Sequence, residues 1–225
     1  MKTSIIEAFL DLVYPPFHPC PHCHRPDTAI HGAQASLCSP CFQGFPFLME
    51  AEKPSGVESL AHYRDSAQSL VHRLKYKEGL YLAKPMASLM VQKLKLEDHQ
   101  MVIPVPMHRR RLRRRGYNQA DLLARNIASM VELTYESNAL IRIRETAPMY
   151  QLNRLQRIRN MWNSITINQE STHKIQNQKI LLVDDVYTTG ATAQACIREL
   201  EEAGADEVTV VTFALADAES VHQKT

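Results

Sequence analysis

The sequence predicts an α/β protein: a parallel sheet with helices on its faces, preceded by a small metal-stapled segment. Three observations carry this reading. Beyond residue 60, short aliphatic runs alternate with amphipathic stretches, the order expected of strands joined by helical crossovers. Residues 15–47 hold four of the five cysteines, four histidines and little aliphatic content, so they cannot build a core of their own. Finally, "ILLVDDVYTTGAT" (180–192) drives two adjacent acids out of a buried strand into a run of hydroxylated residues around one glycine. The chain divides accordingly into residues 1–50, an N-terminal helix and cysteine-rich segment, and residues 51–225, the α/β domain.

At 225 residues and 44% hydrophobic content, the chain can bury one sizeable core and a smaller appendage. Its formal net charge of +2 dictates neither a nucleic-acid nor a membrane partner. The N-terminal "MKTSIIEAFLDLVYPP" is apolar at Ile5, Ile6, Phe9, Leu10, Leu12 and Val13 but carries Glu7 and Asp11. It lacks a basic leader and a small-residue cleavage site, so a short amphipathic helix is expected rather than a signal peptide. No run of about 18 uninterrupted apolar residues occurs, so no membrane insertion is expected, and the chain reads as cytoplasmic.

"CPHC" (Cys20, Cys23) and "CSPC" (Cys38, Cys41) are two knuckles separated by fourteen residues. Paired knuckles place four thiolates around a tetrahedral Zn²⁺, at about 2.3 Å each. Two disulfides or a redox CxxC are the competing readings. A reducing compartment disfavours the first, and the absence of a surrounding strand and helix argues against the second. The prediction is a structural zinc with no open coordination position. His18, His22, His24 and His31 read as polar residues of the ribbon, and Cys196, near Ile197 and Leu200, as core.

Ala67, Leu70, Val71 and Leu74 fall at helical spacing, and "GLYLAKPMASLMVQKLKL" (79–96) reads as a helix kinked or started near Pro85. "MVIPVP" (101–106) is a short strand stopped by its prolines, "NQADLLARNIASMV" (118–131) an amphipathic helix, and "ALIRIR" (139–144) a second strand. "KILLVDDV" (179–186) and "EVTVVTFALA" (207–216) are the third and fourth strands. They flank "ATAQACIRELEEAG" (191–204), a helix ended by Gly204. All four strands are expected in one parallel sheet.

Backbone N–H groups at the start of that last helix form an anion cradle, with close approach at Gly190 and hydroxyls from Thr188, Thr189 and Thr192. Asp184 and Asp185 just before it suit vicinal hydroxyls. Together they suit a ribose phosphate. The chain has no GK dipeptide and no G-x-G, so neither a P-loop nor a dinucleotide fingerprint competes.

"ILLVDDVYTTGAT" resembles the phosphoribosyl pyrophosphate (PRPP) loop of the type I phosphoribosyltransferases. The rest of the chain is similar to one branch of them, the ComF competence-protein family, through the two knuckles, "LVHRLKYKEG" (70–79), "VPVPMHRRRLRRRGYNQA" (103–120) and "QLNRLQRIRN" (151–160). The resemblance implies a type I phosphoribosyltransferase fold behind an N-terminal zinc ribbon. It implies PRPP binding by Asp184, Asp185, Thr188, Thr189, Gly190, Ala191 and Thr192. A pyrophosphate loop at Arg109, Arg115, Gly116, Tyr117 and Asn118 is implied as well, and a lid loop carrying Gln151, Arg154, Arg157 and Asn160.

The implied chemistry is displacement at ribose C1 with pyrophosphate leaving. Mg²⁺ would accompany the PRPP, and Asp184 and Asp185 would act as catalytic residues on the ribose. No residue identifies an acceptor. The family also implies a role in natural transformation. A second reading is therefore a non-catalytic module that handles single-stranded DNA, alongside other DNA-uptake proteins, under regulation by PRPP. "HRRRLRRR" (108–115) holds six arginines and no acid, more than one pyrophosphate can use, so Arg110, Arg111 and Arg113 are candidates for a nucleic-acid backbone on a charged turn. Lys75 and Lys77 fit either the phosphates or the polar face of their helix.

Overall fold

The computed structural model describes residues 19–25, 37–144 and 164–216. In chain order, the elements begin with α1 (Ser39–Gln43), β1 (Val57–His62), α2 (Asp65–Leu74), α3 (Ala83–Lys93) and β2 (Met101–Pro104). They continue with α4 (Arg109–Arg115), α5 (Gln119–Val131), β3 (Thr134–Tyr135), β4 (Leu140–Arg142) and β5 (Ile165–Ile167). The last are α6 (Thr172–Ile175), β6 (Lys179–Tyr187), α7 (Ala191–Glu202) and β7 (Glu207–Leu215). Five strands form one sheet in the order β1-β7-β6-β2-β3, every neighbouring pair parallel.

The central strand shows why the sheet has two covered faces. Ile180 to Val183 of β6 are all buried. Leu181 and Val183 pack with α2, α3 and α5 on one side. Ile180 and Leu182 pack with α7, β4 and β5 on the other. A continuous aliphatic run is what a strand buried on both faces requires. The helices cover their faces at the expected spacing, through Leu70, Val71 and Leu74 of α2 and Leu123, Ala124 and Ile127 of α5. Residues Lys77–Leu82 form a 3₁₀ turn leading into α3, which places Pro85 in the helix's first turn, where its missing N–H costs nothing.

Two expectations are corrected. "ALIRIR" does not join the parallel sheet: β4 pairs antiparallel with β5, in the register Leu140↔Ile167 and Arg142↔Ile165, as a separate two-stranded ribbon. The two edge places in the sheet go instead to β3, only two residues long, and to β1, whose VESLAH lacks clean alternation; sequence pattern alone passes over both. The second correction concerns "HRRRLRRR". It is not a turn but the helix α4, capped by the His108 ring, which accepts from the Arg110 N–H, and closed by Gly116 at φ 90°.

The cysteine-rich segment is built into the main core. Cys20, Leu37, Cys38 and Phe45 share one apolar cluster with Val211 and Phe213 of β7, and the Phe45 and Phe213 rings meet edge-on at 6.0 Å. Phe47 bridges Ala61, and the His62 N–H donates to the Pro46 carbonyl at 2.9 Å, so this segment shields the free edge of β1.

Candidate functional site: a cationic cleft at the carboxyl ends of the strands

β2 and β6 are adjacent and parallel, so the segments that follow them open at the same end of the sheet. That topology brings the arginine helix beside the acid pair. Ligands of open parallel sheets bind beyond these carboxyl ends. Here a cleft of about 240 Å³ is lined by Asp184 and Asp185 of β6, Thr192 of α7, Arg111 and Arg115 of α4, and Asn118 and Gln119 at the start of α5. Arg142 of the β4–β5 ribbon and Lys75 complete its polar wall.

Helical geometry sorts the six arginines. Arg111 and Arg115 are one turn apart and half-buried on the cleft side, whereas Arg109, Arg110, Arg113 and Arg114 are exposed. Arg115 donates to Oε1 of Gln119, a side chain only 3% exposed. The linker between α4 and α5 is pinned at each residue. Gly116 takes the left-handed conformation, the Tyr117 hydroxyl donates to the Leu74 carbonyl at 2.9 Å, and the Asn118 amide donates to the Val105 carbonyl at 2.9 Å. Asn118 also caps α5, accepting from the Ala120 N–H. Tyr117 therefore anchors the linker and does not line the cleft.

The acid pair is electrostatically tense. Burial pushes the Asp184 carboxyl well above the usual carboxylate range, and the charge of Asp185 adds to this. The Asp185 N–H, donating to Asp184 Oδ1 at 2.8 Å, and the Arg142 guanidinium pull the other way. Arg142 is itself held below the usual arginine range, first by burial and then by Arg111. Behind them, burial and Asp184 raise the Cys196 thiol, consistent with its expected place in the core. Such a site gains from a ligand that brings phosphate to the arginines and hydroxyls to the acids.

The predicted cradle follows. Gly190 caps α7 at φ 74°, and a Cβ there would lie 2.3 Å from the Tyr187 hydroxyl, so any other residue strains the backbone and must displace that ring. Thr188 and Thr189 are exposed, Ala191 is buried, and Thr192 faces the cleft. A smaller pocket of about 30 Å³ lies between Asp184, Tyr187, Thr188, Gly190 and Thr192. The lid candidates Gln151, Arg154, Arg157 and Asn160 lie outside the described residues. Three polar residues of the cleft lie outside the set that the sequence singles out for it: Arg142, Gln119 and Arg111. An arginine inside the apolar "ALIRIR" was the available signal for the first.

The four knuckle cysteines converge, their sulfurs all within 4.8 Å of one another and Cys23 Sγ 3.6 Å from Cys38 Sγ. Tetrahedral Zn²⁺ with about 2.3 Å bonds sets its sulfurs about 3.8 Å apart, so this set can hold a metal such as zinc. Burial works to raise the Cys20 thiol, but the backbone amides of Cys38, Cys23 and His22 outweigh it and bring it down to about 7. His22 and His24 are not ligands. The His22 Nδ1 meets Ser69 Oγ at 2.9 Å and the His24 Nδ1 meets Arg73 at 2.9 Å, docking the knuckle on α2.

Residues 77–224 match the family model of the phosphoribosyl transferase domain. The chain belongs to the phosphoribosyltransferase family. Its fold is the type I phosphoribosyltransferase fold, with the cysteine cluster ahead of it. Among relatives, competence protein F of Haemophilus influenzae is 27% identical, the match covering 88% of this chain and 96% of that protein. The DNA utilization protein YhgH of Salmonella typhimurium is 31% identical, covering 85% of this chain and 81% of that one. Competence protein ComFC of Streptococcus pneumoniae is 30% identical over 68% of this chain and 64% of its own. Two solved structures are also similar. Glutamine PRPP amidotransferase from B. subtilis has a TM-score of 0.40 and 17% identity, over 66% of this chain and 27% of that one. Adenine phosphoribosyltransferase from Leishmania tarentolae has a TM-score of 0.40 and 19% identity, over 80% of this chain and 76% of that one. Among the described residues of this phosphoribosyltransferase-family chain, no helix is long and apolar enough to cross a membrane.

Proposed function

We propose that the cleft binds PRPP with Mg²⁺ and that the chain acts in natural competence, in the handling of incoming DNA. The observation that carries the first part is the meeting of Asp184, Asp185, Thr192, Arg111, Arg115 and Arg142 in one cleft at the carboxyl ends of β2 and β6. In this reading the pyrophosphate lies against Arg111 and Arg115, whose forks suit paired phosphate oxygens. The ribose hydroxyls donate to Asp184 and Asp185, and the 5′-phosphate takes the first N–H groups of α7. Mg²⁺ would supply charge neutralisation on the pyrophosphate. Gln151, Arg154, Arg157 and Asn160 would close over the ligand. The names of the relatives, competence protein F and DNA utilization protein, support the second part. A structural Zn²⁺ on Cys20, Cys23, Cys38 and Cys41 completes the reading, its four thiolates leaving no position for substrate.

Transfer of the phosphoribosyl group would break the C1–O bond to pyrophosphate and form a bond from C1 to an acceptor nucleophile. The acids would offset the positive charge that develops on the ring. Calorimetric titration of the purified chain with PRPP and Mg²⁺ tests binding, and saturable binding tighter than that of pyrophosphate or ribose 5-phosphate alone is expected. No binding overturns the reading. Pyrophosphate release in the presence of a panel of nucleobases then tests turnover.

A second reading, a single-stranded-DNA-handling module that PRPP regulates, is favoured by one observation. Arg109, Arg110, Arg113 and Arg114 stand exposed, off the cleft, on a helix that buries no residue.

A further inference from the structure

An exposed aromatic ring stands on a fixed turn next to the arginine helix. Tyr76 is 55% exposed, and its ring meets that of His72 edge-on at 5.2 Å. The turn that displays it is tight. The Tyr76 N–H donates to the Arg73 carbonyl and the Gly79 N–H to the Tyr76 carbonyl, both at 2.9 Å. A Cβ at Gly79 would lie 2.1 Å from the Arg73 carbonyl oxygen, so only glycine lets the chain close this way. The backbone that presents the ring is thus fixed by the turn, and the ring rests its edge on His72.

The turn also abuts the end of α4. The Tyr117 hydroxyl reaches the Leu74 carbonyl, and Lys77 Cε lies 3.8 Å from where a side chain on Gly116 would begin. Arg113 and Arg114 occupy the last turn of α4, exposed, and Leu112 beside them is 39% exposed. Glu78 is the one acid within this turn.

We propose that this surface is a track for single-stranded nucleic acid, with Tyr76 as a base-stacking platform and Lys77, Arg110, Arg113 and Arg114 as phosphate contacts. This rests on the second reading above and gives it a place on the molecule. The cations alone fit any polyanion, but the ring adds a requirement. A stacked duplex hides the faces of its bases, whereas an unpaired base offers one to an exposed aromatic. An acidic peptide satisfies the arginines and leaves the ring uncovered. Interleaved aromatic and basic residues are the mark of strand binding without sequence preference.

The test uses the full chain and fluorescence anisotropy with oligo(dT) of about 15 nucleotides, an abasic strand of the same length, and polyglutamate. Tyr76→Ala should weaken oligo(dT) binding about ten-fold with an unchanged salt slope, leave the abasic strand unaffected, and be rescued by Tyr76→Trp. Exchanging Arg113 and Arg114 for Ser should weaken both strands alike and reduce the salt slope by about 0.7 per lost contact. PRPP titration of Tyr76→Ala should match wild type, which shows the cleft intact. If the wild-type chain fails to bind oligo(dT), the second reading falls and the track with it. If it binds but Tyr76→Ala binds equally well, the platform alone is overturned. Polyglutamate or abasic strand binding as tightly as oligo(dT) would also overturn it, leaving a general polyanion surface.

Discussion

Replacing Asp184 by Asn should move stability and ligand affinity in opposite directions. The shape is kept, and Oδ1 still accepts from the Asp185 N–H at 2.8 Å. What is lost is a charge whose burial, together with Asp185, raises its pKa in the folded protein. An acid with a raised folded pKa favours the fold below its unfolded value of about 3.9, and that contribution is lost as pH rises through the folded pKa. Near neutral pH Asp184 therefore costs the fold, through buried charge or through proton uptake, in a way that Asn does not. The ligand-free variant should melt higher than wild type at pH 7, by about 2–4 °C for each kcal/mol relieved, and the advantage should shrink toward pH 4. Affinity should fall instead. A ribose hydroxyl that donates to a carboxylate gains about 1.5–3 kcal/mol, and one that donates to a neutral amide about 0.5–1.5. The difference of about 1–1.5 kcal/mol corresponds to a PRPP Kd about 5- to 13-fold weaker. Calorimetry and thermal unfolding across pH read both effects on one preparation. A variant that binds PRPP as tightly as wild type, or that melts lower at neutral pH without ligand, refutes the reasoning.

Exchanging Arg111 and Arg115 for Ser should weaken PRPP by roughly 10²- to 10⁴-fold in calorimetry, two charge-assisted contacts being removed, whereas the exposed Arg109, Arg110 and Arg113 should be replaceable at about two-fold cost or less. Elemental analysis should find one zinc per chain. Cys38→Ser should lose it and lower the melting temperature, because Cys38 shares its core cluster with Phe213. Gly190→Ala should cost about 1–2 kcal/mol from its left-handed backbone alone, read as a lower melting temperature. It should also weaken PRPP in the same titration, since the added methyl must displace the Tyr187 ring.

Much of the site was legible because it is local in sequence. Asn118 opens the run that reads as a helix, and its side chain caps α5 there. The acids of "ILLVDDVYTTGAT" stand where the fully buried part of β6 gives way to its half-buried last residues, and its glycine takes the positive φ that starts α7. The paired knuckles announce four sulfurs in one place, and the sulfurs meet there. In the first two cases one short run contains both the residue and the reason for its geometry, and in the third two short runs of the same spacing do. Arg142 is different. It reaches the cleft because β4 pairs with β5, and the register Arg142↔Ile165 is fixed by residues more than twenty positions away. β1 was missed for a related reason: its VESLAH gains its place from β7 on one side and the Phe47 bridge on the other, not from its own pattern.

The arginine run shows how one change of local structure redistributes function. As a turn, its six cations would be interchangeable. As a helix, spacing decides, and the pair at 111 and 115 separates from the rest. This helix is not one that burial would select, since none of its residues is buried and like charges face each other at 109/113, 110/114 and 111/115. Each such pair costs about 0.2–0.5 kcal/mol. Against this stand the helix dipole, which favours Arg113, Arg114 and Arg115 in the last turn, the His108 cap, and the pinned linker from Gly116 to Gln119. Those local gains are of the same size as the repulsion they oppose. Anions on both faces would remove the repulsion altogether. A phosphate ligand inside the cleft and a phosphate backbone outside it would then each favour the same helical geometry, which gives the two proposed partners a physical reason to be bound by one chain.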